Sequence, residues 1–382
     1  MNKHLVKFLT WYIVPKKLRH SIKNRLLKFK LRSVIDAPFC LIKILLSKKS
    51  HSRTALIELN PYHIECLYSM YYYALRIDKS ISVFTTNENI RLNLFPKSVK
   101  VFRIYPWVIK VLDKLRYFNK CRYVIIGSYF VWLQQKTADT YLTNFIKTGK
   151  PVLAIDHAPE QHNNSRPVYK NVHLCVLADF LSKKYNLPAV YTLVFPESAA
   201  PECDTNKFLS VGVIGDQSRR DMDLYLDWLN QNPNAFSYII SALIYPKYRT
   251  ILNGLVNVQI YEKASFKTLF ECCHKSAFIP FLIHNESLGY YENAISGNLN
   301  LALAFQIIPV VDSRLAKLYG LDGEAAVIYN GKSDCEKALQ YALQMSYTEI
   351  CKKRDVLKNM YETLVQQAEQ TIKNILLNTS DS

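Results

Sequence analysis

Two stretches carry residues whose types and spacing suit the binding of an anion. In the first, Val211–Asp216 reads VGVIGD and leads into Gln217-Ser218-Arg219-Arg220. A strand ending in glycine, then a short loop with paired arginines before a helix, is a phosphate-binding layout. Gly215 lets backbone approach a ligand closely, and the guanidinium of Arg219 or Arg220 grips two phosphate oxygens at once. The spacing is not GxGxxG, so a dinucleotide site is only weakly signalled. The second stretch runs from His274 to Ser313. It reads as a strand over Ala277–Ile283 and a loop over His284–Asn293 bearing Glu286, Ser287, Tyr290 and Glu292. Ser296-Gly297-Asn298 then opens a helix over Leu299–Phe305, and a strand follows over Ile307–Val311. Such a unit aims the amides of a helix N-terminus at a crevice beside the sheet. A turn glycine followed by solvated arginines, and a Ser296 that only caps its helix, fit the same residues. Both stretches fall at carboxyl ends of strands in one sheet, where open α/β sheets bind ligands. Together they offer positive charge and a helix terminus, a match for a diphosphate.

The elements that must position these residues alternate. Strands are expected over Thr54–Leu59, Ile81–Thr86, Val99–Tyr105, Tyr123–Ser128, Pro151–Asp156, Val172–Leu177 and Val190–Val194. Helices intervene over Pro61–Arg76, Trp107–Phe118, Thr137–Thr148 and Asp179–Tyr185, with a short helix or turn over Asn87–Leu94. Pro196–Thr205 is rich in proline, small and acidic residues and lacks periodicity, so it reads as a linker. Alternation resumes with strands over Phe208–Ile214, Phe236–Ser241, Val258–Glu262 and Ala326–Tyr329. The helices there are Asp221–Leu229, Tyr245–Leu255, Ser265–Cys273, Ser313–Tyr319 and Asp334–Gln344. Pro309 restricts its strand to a place near an edge or an irregularity. Thr348–Leu377 is one long helical pattern. The fold class is therefore α/β, with two doubly wound domains facing across a cleft. The divisions are an arm over 1–50, a first domain over 51–195, a linker over 196–206 and a second domain over 207–346. A final helix over 347–382 packs back on the first domain.

Bulk properties narrow the classes. The chain has 382 residues, 49% hydrophobic, enough for two cores. Its nine cysteines include no CxxC pair, which argues for buried thiols in a reducing compartment. Adjacent Cys272, Cys273 and His274 diverge on any regular element, so a metal site is not expected there. Net charge is +18, and residues 1–50 hold thirteen Lys or Arg against one acid, Asp36. In that arm Leu18, Ile22, Leu26 and Phe29 share one helical face among Lys17, Arg19, Lys23, Arg25 and Lys28. This suits an interfacial helix on an anionic membrane, a helix packed on the domain with a solvated basic face, or, less well, an RNA-binding arm. No apolar run approaches the ~20 residues that span a bilayer, and no secretory cleavage pattern follows Phe8–Val14.

At this point the arrangement resembles a GT-B glycosyltransferase of the bacterial surface-polysaccharide type. FLSVGVIGDQSRR is similar to that family's first strand and glycine-and-basic loop in the donor domain. IHNESLGYYENAISGNLNLALAFQIIPVV is similar to its donor segment. The resemblance implies two Rossmann-like domains, the second binding a nucleotide-sugar. It places Arg219 or Arg220 against the diphosphate, Ser296, Gly297 and Asn298 at the helix end beside it, and Glu286 on ribose or sugar hydroxyls. The commonest retaining members carry two Glu separated by seven residues, whereas Glu286 and Glu292 here have five between them.

Sugar transfer needs a base for the acceptor hydroxyl or a group that steadies positive charge on the donor carbon. Asp156 and His157, at the carboxyl end of the buried strand PVLAID, suit either role, with Glu160 and His162 behind them. Ser128 ends the neighbouring strand and is expected to line the same cleft; a plain turn cap also accounts for Asp156. Arginines and a helix terminus neutralise a diphosphate unaided, so neither metal nor other cofactor is required. The expectation is a glycosyltransferase, cytoplasmic and peripheral on the inner face of the cell membrane. It would use a nucleotide-sugar and a lipid-linked or oligosaccharide acceptor, with no nucleic-acid partner. A catalytically silent scaffold, a sugar epimerase and a polyol-phosphate transferase are the competing classes.

Overall fold

The computed structural model describes residues 31–47, 53–61, 63–131, 134–157, 159–162, 169–197, 206–214, 220–284 and 289–378. The amphipathic pattern over 18–29, most of the linker, and Gly215, Arg219, Glu286 and Ser287 lie outside the described residues.

Two six-stranded parallel sheets share one strand order. The first holds β1 (Thr54–Glu58), β2 (Ile81–Thr85), β3 (Lys100–Arg103), β4 (Tyr123–Ile126), β5 (Val152–Ile155) and β6 (Val172–Cys175). The second holds β7 (Lys207–Val211), β8 (Phe236–Ser241), β9 (Val258–Glu262), β10 (Phe278–Pro280), β11 (Ile308–Asp312) and β12 (Val327–Tyr329). Both run third, second, first, fourth, fifth, sixth across the sheet, so the order reverses between β1 and β4 and between β7 and β10. β1, β2, β4 and β5 are buried at every position, as strands covered on both faces must be. Pro309 stands in β11, the strand next to the edge. Pairing of β11 with β12 begins only at Val310, so the missing amide of Pro309 breaks no bond on that side.

The helices that position the site are α1 (Leu31–Leu46), α2 (Ile64–Leu75), α3 (Asp179–Tyr185), α4 (Met222–Gln231), α5 (Gly297–Phe305) and α6 (Tyr347–Asn378). α2 buries Ile64, Leu67, Met70 and Ala74, an i, i+3, i+6, i+10 set that follows one helical face. α6 has 32 residues and so a length of roughly 48 Å, and it touches α2 and β5 as well as α5 and β11.

Two expected elements differ. Val190–Val194 is not a strand of the first sheet. Ala189 makes a single bridge to Val176, and the residues after it run extended beneath α2. Their backbone finds partners in helix side chains instead of a ladder: Ser69 Oγ donates to Val194 O at 3.0 Å and Tyr73 OH to Tyr191 O at 2.8 Å. The helix expected over Thr137–Thr148 is a 3-10 turn at Ala138–Tyr141 and a single turn at Thr143–Ile146. Asp113 satisfies the second turn's orphan amides, accepting from Asn144 N and Phe145 N at 2.8 and 2.9 Å.

Candidate active site

In the second sheet the reversal point is built around one arginine. β7 is followed by Gly212, whose φ of +152° is a conformation side-chain-bearing residues rarely adopt. A Cβ there would lie 2.6 Å from Arg220 Nε, so glycine is what lets the guanidinium pack across the strand end. Arg220 Nη1 donates to Phe281 O at 2.6 Å, pinning the side chain against the end of β10. Beyond Phe281, Leu282 is fully buried at φ +54°, a left-handed backbone that costs a leucine about 1–2 kcal/mol. That turn brings Leu282 O to the amide of Asp221 at 2.8 Å, tying the start of α4 to the same crevice.

Asp221 caps α4 by accepting from Leu224 N, and its other oxygen lies 2.5 Å from Lys332 Nζ and 3.4 Å from His284 Nδ1. Burial works to raise this carboxyl, but Lys332 and the cap outweigh it and hold it below the usual carboxylate range. Burial lowers His284, whose Nε2 is 2.8 Å from Tyr329 OH. A cavity of about 310 Å³ opens at the carboxyl ends of β7, β8 and β9, lined by Gly212, Arg220, Ser241, Lys263 and Tyr290 among others.

The start of α5 is more enclosed than the sequence suggests. Ser296 and Asn298 are 1% and 2% exposed, while Gly297 is open to the surface. Ser296 Oγ accepts from Asn298 N at 3.3 Å, and Ser296 N donates to Tyr319 OH at 3.1 Å, so the serine is an N-cap. Asn298 Nδ2 is buried without a hydrogen-bond partner among the described residues. Glu292 is drawn to the first lobe, 3.7 Å from Lys184 Nζ, and Asn293 Oδ1 accepts from Lys184 and Tyr185 of α3.

The reversal point of the first sheet is chemically different. β1 ends in Glu58, which is fully buried, and its carboxylate accepts from Asn60 N and Ser128 Oγ, both at 2.7 Å. Burial pushes it up to about 7 against those hydrogen bonds. A Cβ on Gly127 would meet Glu58 Oε2 at 2.5 Å, so the end of β4 has room for glycine alone. Ser128 is thereby turned to the carboxylate and is 3% exposed, instead of lining an open cleft. Asp156 and His157 separate because successive side chains at a strand end face opposite ways: Asp156 is 2% exposed, His157 half-buried. Glu160 is exposed on the turn Pro159–His162.

A carbonyl only accepts, so His157 Nε2, 2.9 Å from Gly127 O, carries a hydrogen and the ring's lone pair sits on Nδ1. Burial and the neighbouring His63 lower His157 to about 3, leaving it neutral. His63 stacks on it with ring centroids 4.3 Å apart and planes 16° from parallel. Glu58, His63 and Cys66 escaped the sequence reading. The signal for Glu58 was present: a lone acid closing the apolar run TALI at a strand's carboxyl end. His63 and Cys66 looked like parts of an ordinary Tyr-rich helix.

No protein-family model matches the chain, and no curated protein matches its sequence. Solved structures do match over most of its length. A glycosyltransferase from Rickettsia africae aligns at 10% identity with a TM-score of 0.55, covering 86% of this chain and 99% of that one. AviGT4, a glycosyltransferase involved in avilamycin A biosynthesis, aligns at 11% identity and TM-score 0.58, covering 86% and 98%. HepE from Anabaena, solved in complex with UDP, aligns at 9% identity and TM-score 0.56, covering 85% and 99%. The chain has the GT-B fold. In this GT-B chain one lobe's reversal point holds Arg220 and the cavity, and the other's holds Glu58, Gly127 and His157. Hydrogen bonds join the lobes: Asn300 Nδ2 of α5 donates to Thr192 Oγ1, which lies 3.5 Å from Cys66 Sγ on α2.

Proposed function

We propose that the chain is a glycosyltransferase that moves a sugar from a nucleotide-sugar to a lipid-linked or oligosaccharide acceptor in cell-surface polysaccharide synthesis. The observation that carries this reading is the 310 Å³ cavity beside a pinned arginine at the reversal point of a GT-B lobe. Its size lies within the range of small-molecule sites, and Lys263 adds a second cation. In this reading Arg219 and Arg220 grip the diphosphate, Gly297 offers it the amide end of α5, and Glu286 and Ser287 meet ribose or sugar hydroxyls. Tyr290 offers a ring along the cavity.

On the acceptor side, His157 Nδ1 takes the hydroxyl proton as that oxygen bonds the sugar's anomeric carbon. The bond from that carbon to the diphosphate breaks, and the electron pair leaves with the diphosphate, where the arginines offset its charge. UDP-glucose is the first donor to try, because the Anabaena protein has been solved with UDP and with UDP-glucose.

The membrane reading draws support from α1. Ala37 and Ile44 are buried, whereas Phe39 and Leu46 are 69% and 74% exposed. Apolar side chains thus stand on the surface directly after a strongly basic stretch. No helix among the described residues is long and apolar enough to cross a membrane. Sedimentation with anionic vesicles is expected, and binding that survived both high salt and deletion of residues 1–50 would refute it.

Calorimetric titration with a panel of nucleotide-sugars tests the donor site. Arg220→Ala should weaken the best donor at least tenfold, about 1.4 kcal/mol or more. A wild-type chain that binds none of the panel, or a variant that binds as well as wild type, would refute the transferase reading.

A further inference from the structure

His63, Cys66 and His157 bring one nitrogen each from two imidazoles and one thiol sulfur within 4.8 Å of one another. They come from separate elements. His63 and Cys66 flank the first turn of α2, and His157 follows β5. We propose that these three side chains form a binding site for a zinc-class divalent ion, with three protein ligands and an open fourth position.

The ligand set is the first argument. Two imidazoles and a thiolate match borderline and soft transition metals, while Mg²⁺ and Ca²⁺ select oxygen ligands. A tetrahedral ion would hold such atoms about 3.3–3.8 Å apart, so closing from 4.8 Å asks about an ångström of side-chain movement.

The outer partners are the second argument. Metal-ligating side chains are oriented by polar partners behind them; His157 and Cys66 each have a hydrogen bond in that place and His63 a nearby carboxylate. His157 Nε2 donates to Gly127 O, which leaves Nδ1 as its coordinating atom. His63 Nδ1 lies 3.7 Å from Glu65 Oε1. Thr192 Oγ1 lies 3.5 Å from Cys66 Sγ and accepts from Asn300 Nδ2, so its own hydrogen is directed at the sulfur.

Backbone strain is the third. His63 stands at φ +64°, a left-handed conformation at the start of α2, and its side chain makes no cap hydrogen bond. Such strain persists where a side chain is held for a purpose other than local stability. Both imidazoles are half-buried, which leaves a side from which an ion and a fourth ligand can enter. Binding displaces the Cys66 thiol proton to solvent, so affinity rises with pH.

This goes beyond the transferase reading. An ion on His157 Nδ1 occupies the lone pair proposed to accept the acceptor's proton, so ion binding and proton transfer exclude each other. The test uses neither donor nor acceptor, and its failure would leave the transferase reading standing.

The full chain, stripped with a chelator, is titrated with Co²⁺ and then with Zn²⁺ or Mg²⁺. One equivalent should bind with a thiolate-to-cobalt charge-transfer absorption that Zn²⁺ abolishes and Mg²⁺ does not. The absorption should vanish in Cys66→Ser and remain in Cys351→Ser, a half-buried thiol on α6. His63→Ala and His157→Ala should each weaken binding more than tenfold, and Thr192→Val about 10- to 100-fold. No thiolate absorption in the wild type, or one that persists in Cys66→Ser, would overturn the proposal. Should Cys66→Ser fail to fold by circular dichroism, unchanged binding in both histidine variants would overturn it equally.

Discussion

The two lobes have one topology and opposite chemistry. In each, the strand order reverses between the first and fourth strands, and a crevice must open there because the crossovers leave on opposite faces. In the second lobe, Gly212 follows the first strand and makes room for a cation, with Arg220 spanning to the end of β10. In the first lobe, Glu58 ends the first strand and Gly127 makes room for an acid, with Ser128 donating to that acid and His157 to the Gly127 carbonyl. A fold can fix where a ligand goes and leave its sign to one or two side chains. An arginine-lined crevice suits a diphosphate, and a carboxyl–imidazole crevice suits a group that must give up a proton.

The contrast has measurable consequences. The largest concerns Glu58, raised from 4.5 in an unfolded chain to about 7 by burial. A carboxyl raised in the folded state keeps its proton there after the unfolded chain has lost it. Its contribution is therefore complete below pH 4.5, declines as pH climbs, and is gone above pH 7. Stability should fall by roughly 3 kcal/mol across that window, and Glu58→Gln should flatten the slope in denaturant titrations at several pH values. An unchanged slope would remove Glu58 from the account.

Next come the two glycines. Gly127→Ala drives a methyl into a buried carboxylate held by two hydrogen bonds, and should cost about 2–3 kcal/mol of stability. Gly212→Ala meets the Arg220 side chain at a strained φ; that side chain can swing away by giving up its one bond to Phe281 O, so the cost should be less, about 1–2 kcal/mol, with weakened donor binding. Reversal of that ranking in chemical denaturation would mean the arginine is the more rigid partner. The smallest effect is at the start of α5. Ser296→Ala should cost about 1 kcal/mol of stability, the usual worth of an N-cap. Donor affinity should stay within a factor of a few, because the serine hydroxyl is turned to its own helix.

Much of the second lobe was legible beforehand. Gly212, Arg220, Ser296 and the buried strands on either side stand within about a hundred residues, and strand, loop and helix follow one another locally. The first lobe's chemistry was only partly legible. Asp156 and His157 could be placed at a strand end, but not which of the two would be enclosed. Ser128 could be seen as polar at the end of YVII, but its partner Glu58 lies seventy residues earlier. The extended run after Ala189 misled because its apolar alternation is that of a strand, while its hydrogen bonds go to Ser69 and Tyr73 on a helix.

By itself the sequence determined the alternation of strands and helices, the parallel sheets and the strand ends where polar side chains must emerge. Those follow from periodicity and burial, which are local properties of the chain. Tertiary structure alone decided which strand ends become neighbours. It brought Glu58 beneath Gly127, His63 over His157 and Arg220 against Phe281, because hydrogen bonds and ring stacking act over a few ångströms of space whatever the separation along the chain.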